Sequence, residues 1–255
     1  MNDFGLSHIP ARDQKPRANG MTMIMDKGLS TCAAQEMVDT AGDFIDIVKL
    51  GFGTAVVSCN LEAKLAVYKS AGIPYYFGGT LFEAYIARNQ FDTYLSLIDK
   101  YQLEIVEVSD GCLELPHAEK CKYISILKDR VRVLSEVGSK DSEKIMPPYK
   151  WIELMHKELH AGAFKLIAEA RESGTIGIFR SSGEVRMGLI EEILTQIPAE
   201  QIIWEAPQKN QQAWFIKLLG ANVNLGNISP DEIIALEALR IGLRGDSFEY
   251  YLPTK

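Results

Sequence analysis

The stretch Phe164-Lys-Leu-Ile-Ala-Glu169-Ala-Arg171-Glu172-Ser-Gly174 decides the reading of the fold. Phe164 to Ala168 reads as a buried strand that breaks off into Glu169, Arg171, Glu172, Ser173 and Gly174. A short apolar run ending at charged residues is what a parallel strand looks like when its carboxyl end opens onto a site. The pattern recurs in Ile45-Asp-Ile-Val-Lys49-Leu-Gly51-Phe-Gly53-Thr54, Ile105-Val-Glu107-Val-Ser109-Asp110, Val133-Leu-Ser-Glu136-Val-Gly138 and Ile202-Ile-Trp-Glu205. One end of a parallel sheet is collecting carboxylates.

Working outward, strands are expected at Met21–Met25, Phe44–Lys49, Pro74–Phe77, Ile105–Val108, Val131–Val137, Phe164–Ala168, Ile202–Glu205 and Asn222–Leu225. Helical segments separate them, among them Leu61–Ser70, Phe91–Tyr101, Ala118–Leu127, Tyr149–His160, Val185–Gln196 and Gln208–Leu218. Ser30 caps the first helix, and Ser229 or Asp231 opens the last, which reaches Arg240. Strand–helix units roughly 30 residues apart imply a parallel sheet with helices outside. Eight units in 255 residues fit an α/β fold of one class, a single (β/α)8 TIM barrel. An open doubly wound sheet is the fallback, but no GxGxxG follows the first strand. The barrel is expected over residues 21–244, after an irregular lead-in at 1–20 and before a tail at 245–255. The lead-in is either a loose terminus or a basic arm over the site, with Arg17 best placed to reach it.

The composition excludes several classes. A net charge of −7 argues against nucleic acid or an anionic membrane as partner. No apolar run approaches the ~20 residues of a membrane span, and the first residues lack a basic-then-apolar signal pattern. The four cysteines, Cys32, Cys59, Cys112 and Cys121, form no CxxC pair and read as free thiols of a reducing compartment. A cytoplasmic protein is expected. Exposed apolar residues on the helices would permit a homo-oligomer.

In a barrel the site lies at the carboxyl ends of the strands. The polar residues delivered there are Asp26, Lys27, Lys49, Thr54, Thr80, Glu107, Ser109, Asp110, Glu136, Lys140, Glu169, Arg171, Glu172, Glu205, Asn224 and Asn227. Glu136, Glu169 and Glu205 end three consecutive strands, and carboxylates converging in a barrel mouth repel one another. A hard divalent cation relieves that cost, and oxygen ligands without histidine suit Mg²⁺ better than Zn²⁺. The alternative is a ring of salt bridges with Lys49, Lys140 and Arg171; Glu107 or Asp110 can replace one of the three, and Asp26 carries less weight. Gly51-Phe-Gly53-Thr54 and Gly78-Gly79-Thr80 each join a strand to a helix, where backbone N–H groups favour a dianion or where glycine simply serves a tight turn. Gly226-Asn227 after the last strand occupies a place where barrels often hold phosphate. His156-Lys-Glu-Leu-His160 reads HxExH, not HExxH, and falls on an outer helix. Cys112 has no histidine partner to make it a nucleophile, and a Schiff base on Lys49 is a minor alternative.

Further phrases stand in order along nearly the whole chain: Met21-Thr-Met-Ile-Met-Asp26-Lys-Gly28, Gly78-Gly-Thr-Leu81, Glu205-Ala-Pro-Gln-Lys209-Asn-Gln-Gln212, Asn222-Val-Asn-Leu-Gly-Asn-Ile228 and Leu236-Glu-Ala-Leu-Arg-Ile-Gly-Leu-Arg-Gly-Asp246. With the strand ends above, the sequence resembles the phosphosulfolactate synthase family. The resemblance implies a (β/α)8 barrel, a carbon–sulfur lyase that uses Mg²⁺ to add sulfite to C3 of phosphoenolpyruvate. The product is (2R)-phospho-3-sulfolactate, reached through a metal-stabilised aci-carboxylate and serving coenzyme M biosynthesis or sulfolactate accumulation. With that chemistry, Glu136, Glu169 and Glu205 are expected on the metal. Lys49 and Arg171 are expected on phosphate or sulfite, helped by Gly53, Thr54, Gly79, Thr80, Asn224, Gly226 and Asn227. Lys140 is expected to donate the proton to C2. The family's Glu-Val-Gly-Lys-Lys reads Glu136-Val-Gly-Ser139-Lys140 here, which leaves Lys140 as the one lysine for that role. The alternatives are a non-catalytic stress-associated relative, or a barrel lyase or aldolase acting on another phosphorylated three-carbon acid.

Overall fold

The computed structural model describes residues 4–138 and 146–253. Along the chain run β1 (Thr22–Asp26), α1 (Thr31–Ala41), β2 (Ile47–Leu50), α2 (Thr54–Val57), α3 (Leu61–Ser70), β3 (Tyr75–Phe77), α4 (Gly79–Ile86), α5 (Phe91–Tyr101), β4 (Ile105–Val108) and α6 (His117–Leu127). β5 (Arg132–Val137), α7 (Pro148–Ala161), β6 (Lys165–Ala168), α8 (Met187–Leu194), β7 (Ile202–Glu205), α9 (Lys209–Leu219), β8 (Leu225–Ile228) and α10 (Ile233–Arg240) complete it. Every strand pairing is parallel, in the order β3-β2-β1-β8-β7-β6-β5-β4. β3 and β4 lie side by side at the remaining seam, and the sheet curls into a (β/α)8 barrel. Side chains bridge that seam: Glu107 on β4 accepts from the Tyr76 hydroxyl of β3 at 2.7 Å and from the Gly79 N–H at 2.7 Å.

The two-residue period of the strands sorts the side chains into layers. Outward residues such as Val48, Val106, Leu166, Ala168 and Trp204 are buried under the helices. Inward, Met23, Ile47, Tyr76, Ile105, Leu134, Ile167 and Ile203 form a separate apolar plug. Two residues further along their strands the same inward positions become Lys49, Glu107, Glu136, Glu169 and Glu205. The alternation that fills the barrel thus also delivers the charges to its mouth.

Local signals mark the ends of α1 and α7. The Ser30 hydroxyl accepts from the Ala33 N–H at 3.1 Å at the start of α1. Pro148 opens α7, and Gly162, at φ 114°, closes it. Three expectations shift. Strand two, expected over Phe44–Lys49, begins as β2 only at Ile47, and Phe44 ends a 3₁₀ turn at Gly42–Phe44. The last strand is Leu225–Ile228 rather than Asn222–Leu225, because Asn224 caps other strands at the barrel's opposite end: its oxygen accepts from the Met21 N–H at 3.1 Å and its amide donates to the Ile202 carbonyl at 3.1 Å. Residues 12–17 of the lead-in are held away from the mouth. Arg12 pairs with Glu237 at 2.7 Å and donates to the Ala221 carbonyl at 3.0 Å, while Arg17 pairs with Asp46 at 3.1 Å and donates to the Asp43 carbonyl at 2.9 Å. Asp46 in turn accepts from the Thr22 N–H at 2.8 Å, so the arm is fastened beneath the amino ends of the strands. No helix among the described residues is long and apolar enough to cross a membrane.

Candidate active site

A cavity of about 380 Å³ opens at the carboxyl ends of the strands. Its floor is the charged layer. The Lys49 ammonium lies 2.9 Å from Glu107, 3.3 Å from Glu205 and 3.7 Å from Glu136, with every one of these side chains buried. Glu136, Glu169 and Glu205 bring one carboxylate oxygen each within 4.8 Å of one another, an arrangement able to hold a cation. Glu205 also accepts from the Ala170 N–H at 3.0 Å, and Glu169 from the Arg171 N–H at 2.6 Å. The ion pairs of Lys49 and the carboxylate cluster are therefore two parts of one constellation, while Lys140, a further cation expected in a salt-bridge ring, lies outside the described residues.

The electrostatics follow from this crowding. Burial opposes the Lys49 charge, yet Glu107, Glu205 and Glu136 together hold its pKa well above 10.5. That ammonium keeps its proton, which disfavours a Schiff base. Burial first, then the charges of Glu136 and Glu107, pushes the Glu205 carboxyl above its ordinary range against the pull of Lys49. Tyr76 is likewise driven well upward by burial and by Glu107, so it stays a hydroxyl donor. Carboxylates gathered this closely repel one another, and a bound cation would relieve that repulsion. The donor set is oxygen alone, which suits Mg²⁺. Asn227 adds to this fit: it lines the same cavity, is 5% exposed, and its Oδ1 has no hydrogen-bond partner among the described residues.

Close packing crowds Gly51 and Gly79, whereas Gly53, at φ +69°, has open space around it. The Gly79 N–H is already bonded to Glu107, and a Cβ there would lie 2.2 Å from the Ser109 hydroxyl. Thr80 lines the cavity; Gly53 and Thr54 stand further out, the Thr54 hydroxyl donating to the Gly51 carbonyl at 2.8 Å. Gly226 faces the barrel interior, since a Cβ on it would meet Met23 at 2.6 Å and Ile203 at 3.0 Å. It begins an irregularity in β8, where Thr22 faces Leu225 but Ile24 faces Ile228. The extra residue places Asn227 at the mouth with φ 56°, a conformation asparagine tolerates. Arg171 and Glu172 line the rim and are exposed, and Glu172 pairs with Lys27 at 3.4 Å. Lys140 and Ser139 lie outside the described residues.

Other candidates are committed elsewhere. Asp26 is fully buried, accepting from the Gly28 and Leu29 N–H groups at 2.8 and 2.7 Å and from Tyr68 at 2.9 Å, and pairing with Lys64 at 2.7 Å. Asp110 pairs with Lys120 at 2.9 Å. Asn224 is at the far end of the barrel, as described. His156 and His160 are exposed, whereas Glu158 between them is buried. Sequence reasoning missed Tyr76 as a partner of Glu107, although its place two residues before Gly78 on an alternating strand was a usable signal. It also missed Gly138 and Gly177, which enclose Glu169 on two sides. A Cβ on Gly177 would lie 1.9 Å from the Glu169 carbonyl oxygen at φ +63°. Gly177→Ala should therefore cost about 3 kcal/mol or more, strain adding to a backbone clash, read as a lowered urea midpoint. A wild-type midpoint would show that this loop does not hold Glu169.

A closed parallel barrel that gathers buried glutamates around Lys49 at the carboxyl ends of its strands has the architecture of a (β/α)8 enzyme. Comparison with known proteins narrows the class. The chain belongs to the (2R)-phospho-3-sulfolactate synthase (ComA) family, whose sequence profile matches residues 10–246. It is 41% identical to a phosphosulfolactate synthase of Bacillus subtilis over 251 residues, 97% of this chain and 99% of that protein. It is 40% identical to a phosphosulfolactate synthase of Methanothermobacter thermautotrophicus over 253 residues, 97% of this chain and 98% of that one. Among solved structures, 3-hexulose-6-phosphate synthase from Salmonella typhimurium superposes with a TM-score of 0.55 at 13% identity, covering 88% of this chain and 100% of that one, a likeness of fold alone.

Proposed function

We propose that this chain adds sulfite to C3 of phosphoenolpyruvate, forming (2R)-phospho-3-sulfolactate, with Mg²⁺ held by Glu136, Glu169 and Glu205. The observation that carries the proposal is the three-carboxylate cluster set against Lys49 in a barrel of this family. C3 of an enol phosphate is electron-rich. Attack there is feasible only if the substrate carboxylate takes up charge. A divalent cation in the cluster supplies a Lewis acid for that carboxylate.

The chain's own groups do the rest. The sulfite sulfur forms a bond to C3, the π electrons move towards C2 and the carboxylate, and a proton is added at C2. Both substrates are anions, so bare carboxylates would repel them. Arg171 at the rim is free to turn its guanidinium towards phosphate or sulfite, and Thr80 offers a hydroxyl. Lys49 is bound to carboxylates on several sides and keeps its proton, so it balances charge and positions Glu107, Glu136 and Glu205 instead of delivering the proton. Lys140 remains the assigned donor. Asn227, whose Oδ1 has no partner among the described residues, would offer that oxygen to the cation.

The test is ³¹P NMR of the protein with phosphoenolpyruvate, sulfite and Mg²⁺, repeated with excess EDTA. A new phosphate-ester signal that requires both sulfite and metal is expected. Phosphoenolpyruvate unchanged under both conditions would sink the assignment.

A further inference from the structure

We propose that Lys120, on α6 outside the barrel, is a positioning residue that sets Glu136 in place for the cation; this rests on the metal-site reading above. Lys120 touches neither cavity nor substrate, and it is 1% exposed. Its ammonium donates to the backbone carbonyl of Glu136 at 2.6 Å, and pairs with Asp110 at 2.9 Å and Glu158 at 3.0 Å.

The ladder explains why that carbonyl needs a partner. β4 pairs with β5 as far as Val108 opposite Ser135, and there it ends. The next carbonyl but one, of Val137, turns towards β6, where it accepts from the Glu169 N–H at 3.0 Å. Alternation therefore turns the Glu136 carbonyl towards β4, beyond the last ladder bond, and a buried carbonyl without a donor is costly. Lys120 fills that gap. Glu158, fully buried on α7, ties the ammonium down. It also accepts from the Ser135 hydroxyl at 2.5 Å and lies 3.1 Å from His117. Thus the residue before Glu136 and the carbonyl of Glu136 itself are both fixed from behind the strand, and Asp110 links the same ammonium to the end of β4. The side chain of Glu136 leaves the opposite face of β5, into the mouth. Its ligand oxygen is placed by this support, as partners behind a ligand generally place it.

The experiment is titration of Mn²⁺ into the protein, reading free Mn²⁺ by electron paramagnetic resonance, so that turnover is not needed. The variant is Lys120→Met with Glu158→Gln, which removes both charges together and keeps an acceptor for Ser135. With a cooperative melt and a native near-ultraviolet dichroism spectrum, its dissociation constant should rise about 10–100-fold, and a smaller rise is expected for Asp110→Asn. A folded double variant binding Mn²⁺ like wild type would overturn the role of Lys120 while leaving the cation site intact. If the double variant does not fold, Asp110→Asn decides, and unchanged affinity there overturns the proposal. Failure of the wild-type protein to bind Mn²⁺ would instead remove the cation site, and the positioning role with it.

Discussion

Replacing Lys49 with methionine is expected to cost about 3–5 kcal/mol of stability and to abolish turnover. The ammonium is the buried cation that three carboxylates share, at 2.9, 3.3 and 3.7 Å. Its removal leaves Glu107, Glu136 and Glu205 facing one another in a site closed to water on the barrel side. Part of the loss should return when Mg²⁺ is added, because a bound cation stabilises the folded state by mass action. Urea denaturation with and without Mg²⁺ reads both effects. A variant as stable as wild type in EDTA would mean that the carboxylates share protons without needing Lys49.

Glu205→Gln should behave in the opposite way. The glutamine retains an acceptor for the Ala170 N–H and removes one charge from a group whose carboxyl burial, Glu136 and Glu107 already push upward. Metal-free stability should therefore hold or rise. Turnover should fall on the order of 10³-fold, the scale of several kcal/mol of lost charge stabilisation. The Mg²⁺-linked rise in melting temperature should vanish with it. Stability and function thus part company at one residue, which is expected where a site stores repulsion for use. A Glu205→Gln protein that still gained stability from Mg²⁺ would take Glu205 out of the ligand set.

Much of this was legible in the sequence because the barrel interior obeys a period of two. The step from Ile47 to Lys49, from Leu134 to Glu136, from Ile167 to Glu169 and from Ile203 to Glu205 is visible without coordinates. The helices Leu61–Ser70 and Phe91–Tyr101 fall at the bounds expected from the sequence. What spacing does not carry is which distant group answers a charge. Arg17 reads as mobile and basic, yet Asp46 holds it beneath the barrel. Asp26 ends a strand like any ligand, yet Lys64 and Tyr68 take its carboxylate outward. Lys120 and Glu158 look like surface charges of amphipathic helices, and only packing of α6 and α7 on β5 makes them a buried pair. The start of β8 is hidden for the same reason, since Asn224 resembles a strand residue until the bond from the Met21 N–H to its side-chain oxygen is seen.

The most direct measurement is anomalous diffraction from crystals grown with Mn²⁺. One anomalous peak per chain is expected, with carboxylate oxygens of Glu136, Glu169 and Glu205 roughly 2.0–2.3 Å away and Lys49 still bonded to Glu107. A mouth without that peak, its glutamates held by Lys49 and Arg171 alone, would contradict that expectation.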